Sequence, residues 1–419
     1  MTMHPIWIAD CELSALEEAQ PFWGGGHGKV LAQLMLRAAG RPELEATLRA
    51  SVAAGQARLS KVRSAQLLSE LPPSEQLTAA AARADAARPV LVAEPVPLAS
   101  GVPLCFEEVN WDALEPSREL WAVLDGVNWP GLPQLISGSR LESACLYTTQ
   151  DPEKLAAAPW IIRLDRLDPL YSELRKRPPQ EHSGILLKTC LGTEELRRHL
   201  RRFTMLPTPI GTAVPQYFRF YDPRVLLDST VALPPEVLGQ LLRPFNSVIV
   251  PLSPQCVVPD PSKISEPPGI FSPPESCRNR LVQLTWDTAL TDCPDRPLRI
   301  DEVSFEKFGR LHRDRAVAKL ALFLHSSQQE CYSQEECLRA ATLAPEAAAR
   351  FGMSSKKQIT AIARTLLKFG DAFWERHSEA HAALTEPGKL PWQRKNSLLE
   401  WMTRMDQEQL LRDVAGGER

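Results

Sequence analysis

A handful of places along this 419-residue chain hold residue types at spacings that chemistry could use. The segment Gly24-Gly25-Gly26-His27-Gly28-Lys29-Val30 comes nearest to a phosphate-cradling loop, in which the amides of a glycine-rich turn surround phosphate oxygens. Trp23 stands where that motif needs its first glycine, Val30 stands where it needs Ser or Thr, and no strand signal precedes it. A turn with unusual backbone angles accounts for the glycines. His377 and His381 could present two imidazoles on one helix face, but neither the glutamate of a zinc-binding helix nor a further ligand accompanies them. Cys331 and Cys337 read as small helix-packing residues. Ser137-Gly138-Ser139 lacks the strand and helix that would flank a nucleophile elbow. No catalytic residue, cofactor site or metal ligand is assigned from these segments.

The charged groups admit two readings. Asp125, Asp165 and Asp222 fall at the ends of strand-like runs, where carboxylates cap helices or pair with arginines. The sharper reading makes those ends a recognition edge, with Arg219, Asp222 and Arg224 on it. Arg197, Arg198, Arg201 and Arg202 are likewise either a solvated helix face or a contact for an acidic partner. Trp129, Trp374, Trp392 and Trp401 are candidate anchors for a partner if exposed, with burial in a core as the competing fate.

The elements that position these groups follow from hydrophobic periodicity. Short apolar runs at Leu120 to Leu124, Ala144 to Tyr147, Trp160 to Leu164, Ile185 to Leu187 and Tyr217 to Tyr221 predict strands, with helices between them. Thr193 to Phe203 predicts a helix capped by Thr193, acidic in its first turn, basic in its last, with Leu196, Leu200 and Phe203 on one face. A helix over Pro235 to Leu242 and a strand over Val248 to Val250 complete an α/β lobe at residues 106–250. The alternation predicts a parallel or mixed sheet covered by helices.

Upstream, residues 1–105 read as an alanine-rich helical extension with a proline-punctuated tail, Leu44, Leu48, Val52 and Leu59 marking helical spacing. Prolines crowd residues 251–300, read as a linker with one possible strand at Leu281 to Trp286. From 301 to 419 the period is helical. Phe305 to Leu324, a capping box at Ser333 and Glu336, Ile359 to Gly370, and Leu398 to Leu410 predict a C-terminal bundle.

Composition sets the outer bounds. Hydrophobic residues at 44%, charged residues at 24% and a net charge of −3 describe an ordinary globular chain with no general nucleic-acid footprint. Its length predicts more than one structural unit. Nine cysteines without a CxxC pair fit reduced thiols. Met1-Thr2-Met3-His4-Pro5 followed by Asp10 and Glu12 is not a signal peptide, and no apolar run is long enough to span a bilayer. A cytoplasmic location without membrane contact is the expectation.

Six phrases in order carry a resemblance: Leu120 to Gly126, Glu142 to Tyr147, Ala158 to Leu164, Gly184 to Leu187, Glu194 to Leu200 and Tyr217 to Val225. Together they resemble the effector-adaptor, or effector-chaperone, domain of bacterial type VI secretion systems, over roughly Trp111 to Pro244. Arg350 to Ser354, Ile359 and Leu367 to Gly370 resemble the helical region that often follows that domain. The resemblance implies a non-enzymatic cytoplasmic protein that binds a cognate secreted toxin effector and helps load it onto the VgrG spike. It carries no catalytic residues. An α/β hydrolase or nucleotide-binding enzyme, and a structural component of the secretion machine, are the alternative functions.

Overall fold

The run Val30-Leu-Ala-Gln-Leu-Met-Leu36, expected to be helical, lies instead within a strand. In the computed structural model, which describes residues 4–15, 29–54, 57–85, 88–92, 95–97, 104–114, 119–209, 215–291, 298–327 and 331–416, the N-terminal region is mainly an antiparallel sheet. The glycines at 24, 25, 26 and 28 lie outside the described residues. The elements in this region are β1 (Ile6–Ala15), β2 (Lys29–Arg37), α1 (Arg41–Ala54), β3 (Ala57–Leu67), α2 (Glu75–Ala81), β4 (Val90–Leu91) and β5 (Val96–Pro97). The strand order is β3-β1-β2-β4, with β5 also on β2. Leu44, Leu48 and Val52 do lie on one helix, α1, whose buried stripe packs against β-strand residues Cys11, Leu13, Leu34 and Leu36. The helical expectation failed for β2 because a strand covered on both faces has no alternation; Ile8 and Met35 pack with Ala80 and Val92 on the other face.

The chain continues through β6 (Cys105–Asn110), β7 (Leu120–Asp125), α3 (Leu132–Ser137), β8 (Ser143–Cys145), α4 (Pro152–Ala156), β9 (Pro159–Arg163), α5 (Pro169–Lys176), β10 (Gly184–Lys188) and α6 (Thr193–Arg201). Next come the short ribbon β11 (Met205–Leu206) and β12 (Gln216–Tyr217), then α7 (Pro223–Ala232), α8 (Pro235–Leu242), β13 (Ser247–Pro251), β14 (Arg280–Thr285) and α9 (Thr288–Thr291).

A seven-stranded sheet has the order β6-β14-β13-β10-β7-β9-β8. Every pairing in it is antiparallel, so the expected parallel or mixed sheet is corrected. Connections long enough for a crossover do not specify direction; here the helices return the chain to the sheet reversed. All six β7 residues are buried because both faces are covered. Trp121, Val123, Ile185 and Leu187 face a core built with Leu196, Leu200, Leu226 and Leu238. Leu120, Ala122, Leu124 and Leu186 face the opposite core, with Trp111, Trp129 and Tyr171.

Three local expectations also change. The Tyr217–Tyr221 strand is reduced to Gln216–Tyr217, and Phe218 to Tyr221 form the approach to α7. Asp222 at the cap and Pro223 in the first turn start that helix, because proline is preset for the first helical position. Gly192, not Thr193, is the cap of α6; the Thr193 hydroxyl donates to Glu142 at 3.0 Å. The proline-rich segment read as a linker does supply the strand anticipated at Leu281 to Trp286, as β14, and sets it between β13 and β6 within the sheet.

The described chain divides into two compact units, Met1–Pro268 with Pro273–Gly309, and Gly269–Ser272 with Arg310–Arg419. The second is helical: the later part of α10 (Glu302–Ser327), then α11 (Gln334–Arg350), α12 (Lys356–Phe369), α13 (Phe373–Arg376), α14 (Ser378–Thr385) and α15 (Pro391–Gly416). Both halves of the Ser333/Glu336 capping box form. Ile362, Leu366, Phe373, Leu384, Leu398 and Trp401 make its core, so the α11–α15 stripes are buried against one another.

Candidate functional site

The end of β7, the entry to β10 and the start of α7 bring the charged phrases of the sequence together. Asp125 closes β7 with its side chain fully buried; it accepts a hydrogen bond from the Val127 amide at 3.0 Å and pairs with Arg219. Burial pushes the Asp125 carboxyl above its ordinary range, even with Arg219 beside it. Asp222 accepts from the Arg224 amide and Nε, each at 3.0 Å, and from Arg224 Nη2 at 2.7 Å. Burial works to raise its carboxyl, but this bidentate bonding prevails and holds it below the usual range. Arg224 also donates to Gln255 at 3.0 Å. Asp222 therefore caps α7 and holds Arg224, and Asp125 closes a turn onto the Val127 amide and holds Arg219.

Behind them, His182 adopts the left-handed backbone region, and its Nε2 lies 2.9 Å from Ser253 Oγ. Ser253 Oγ is in turn 3.3 Å from Cys256 Sγ. A serine, a histidine and a cysteine in contact invite a nucleophilic reading. Ser253 is 0% exposed, however, and burial pushes the Cys256 thiol up to about 11, so it stays protonated near neutral pH. The contact fastens the chain after β13 to the turn before β10. Gly184, which opens β10, is there for space: a Cβ would run into the Val123 carbonyl and come within 2.9 Å of Leu124 Cα.

Trp129, a proposed anchor, is buried beneath Arg177, whose guanidinium lies 4.5 Å from the ring centroid. Arg177 also donates to Ser183 Oγ at 2.7 Å and to the Asn128 carbonyl at 3.1 Å. The ring and its cation are thus joined within the fold. In the helical unit Trp401 is buried, Trp374 is half-buried against Phe351 and Phe373, and Trp392 is 54% exposed at the start of α15. Of the four tryptophans, Trp392 alone offers most of its ring to solvent. His377 packs on Phe369 and Trp401, and among the described residues no group of His, Cys, Asp and Glu gathers as metal ligands.

The surface beside the Asp125–Arg219 pair is different in character. Tyr217, 68% exposed, pairs across the ribbon with Met205, 39% exposed, and its ring lies 6.0 Å from that of Tyr147. Arg197 on α6 donates to the Cys145 carbonyl at 2.8 Å, covering the open edge of β8. Arg201, one turn on, is exposed on the same side of the helix. The structure thus brings Arg197, Arg201 and Arg219 around an aromatic patch, and keeps Asp222 and Arg224 in their own pair. Tyr147, Met205 and Tyr217 were not singled out from sequence, because Tyr217 reads as one of five buried strand residues until the Asp222-Pro223 helix start ends the strand early.

Residues 120–240 match the family model described as a domain of unknown function, DUF4123. No curated protein and no solved structure matches the chain.

Proposed function

We propose that this chain is a non-enzymatic adaptor, acting in the cytoplasm, that holds a toxin effector and helps place it on the VgrG spike of a type VI secretion system. The DUF4123 domain at residues 120–240 supports this, because its phrases are those that resemble effector adaptors. The carrying observation is how the polar groups of that domain are used. Asp125 is paired with Arg219, Asp222 with Arg224 and His182 with Ser253 inside the fold, whereas Met205, Tyr217 and Arg201 face solvent. That division suits a protein that binds surfaces more than one that turns over a small molecule.

Co-expression of the full chain with the effector and spike encoded beside it tests the reading. A complex containing all three is expected on affinity purification. Recovery of the chain free of every neighbouring effector and spike would remove the proposal.

A further inference from the structure

Three surfaces stand open: the groove between α14 and α15, the exposed Leu322 and Phe323 on α10, and the patch at the β11–β12 ribbon. The first two carry no feature that selects an occupant. The third does, because its apolar and charged parts are distinct and adjacent.

The geometry points to a docking surface formed by Tyr147, Met205 and Tyr217 and rimmed by Arg197, Arg201 and Arg219, whose occupant is an acidic segment of a partner protein carrying an aromatic or aliphatic residue next to its carboxylates. This rests on the adaptor reading and specifies the chemistry of its cargo contact.

The apolar part consists of two large side chains directly paired on a short ribbon, Met205 and Tyr217, with the Tyr147 ring beside them. Tyr147 is half-buried beside the ribbon, which restricts its ring and preorganises the platform. An exposed tyrosine on a rigid support is a low-entropy anchor.

The charged part carries a cationic surplus. Among the described residues Arg198 and Arg201 form no ion pair, Arg197 has Glu194 at 3.6 Å, and Arg219 is balanced by a carboxylate that is itself buried. Surplus positive charge therefore remains beside the aromatic platform on a chain whose overall charge is −3. Arginine forks and tyrosine faces select carboxylates together with an apolar side chain. Nucleic acid could also use arginine and tyrosine. The net negative charge and the small extent of the patch favour a protein segment.

The test uses the full-length chain, a displayed library of random dodecapeptides, and variants Arg201→Glu and Tyr217→Ala, with Leu167→Ala, at a 93% exposed position between β9 and α5, as a control elsewhere. Peptides enriched in Asp or Glu beside an aromatic or aliphatic residue are expected. Synthetic copies should bind each patch variant at least tenfold more weakly and the control equally. Both variants alter exposed side chains, and circular dichroism checks that they stay folded. Selection without acidic bias, undiminished binding by both variants, or tighter binding of a dodecameric oligothymidylate overturns the proposal. Copurification separates the two readings: effector and spike captured equally by wild type and both variants sinks the patch alone, whereas peptide selection without any captured effector or spike sinks the adaptor role alone.

Discussion

Arg63 on β3 meets Glu236 on α8 at 3.4 Å, joining the N-terminal sheet to the DUF4123 domain through side chains that are 9% and 1% exposed. The same guanidinium pairs with Glu12 at 2.7 Å, and Arg299 pairs with Asp10 nearby. The N-terminal sheet is therefore fastened by charged pairs of low exposure. Removing one partner of such a pair leaves the other charged and desolvated. Arg63→Met, which strands Glu236 at 1% exposure, should lower unfolding free energy by about 2–4 kcal/mol in urea titration, whereas adding Glu236→Leu should recover most of the loss. A double variant as unstable as the single would show that the ion pair is itself a net stabiliser.

Asp222 performs two tasks at once, capping α7 and holding Arg224. Asp222→Ala should cost about 2–4 kcal/mol, more than an exposed cap of about 1 kcal/mol, because half-buried Arg224 loses its buried partner. Asp222→Asn should retain part of the cap and fall between. Thermal melts of the three proteins measure the order, and equal melting temperatures would contradict it.

Glu108 on β6 is bonded twice by Arg280 on β14, at 2.6 and 3.1 Å, and also accepts from Ser265. These bonds, Arg280 foremost, lower its carboxyl from 4.5 to about 2. A depressed folded-state value gives stability that is present above the unfolded value and lost as pH falls from 4.5 towards about 2. With allowance for solvent screening, Glu108→Gln should remove about 1–2 kcal/mol at pH 7 and almost nothing at pH 2. Chemical denaturation at both pH values distinguishes this from a uniform loss.

The seven-stranded sheet shows where sequence was informative. Leu120 to Leu124, Trp160 to Leu164 and Ile185 to Leu187 were legible as strands because each is a short apolar run ended by turn or helix signals. Their antiparallel sense was not, since hydrophobicity carries no direction. Val30 to Leu36 was misread because burial on two faces erases the period of two. In the candidate site, Asp125 was legible as an ion-pair partner, and Asp222 as a helix cap and ion-pair partner. Tyr147 and Met205 were not, because their meeting depends on α6 and the ribbon folding back to the edge of the sheet.

Gly184 offers a sharper packing test. A methyl group there meets the backbone of β7, so Gly184→Ala must move a central strand. A loss of more than about 2 kcal/mol is expected, beyond the roughly 0.5–1 kcal/mol of an ordinary glycine effect. Unchanged stability in urea would place the turn at His182 among flexible connections.

The cysteines should differ in reactivity. Burial raises Cys11 to about 12 and Cys256 to about 11, whereas Cys190 and Cys331 are exposed. Iodoacetamide at pH 8 should modify Cys331 first, then Cys190, whose thiol is held up by Glu119, and spare Cys11 and Cys256 until the chain unfolds. Peptide mass mapping over time reads the order; early labelling of Cys256 would show that its surroundings open readily.

The place of β14 bears on how the chain is born. Glu108 and Arg280, partners on β6 and β14, are 172 positions apart, so during synthesis at about 5–20 residues per second the first strand waits roughly 9–35 s for its neighbour. Until then, β6 lacks its partner and the growing sheet ends on an unfilled edge, an invitation to aggregation. A ribosome-associated holdase, or slow elongation in the proline-rich stretch before β14, would affect yield more than the stability of the finished molecule.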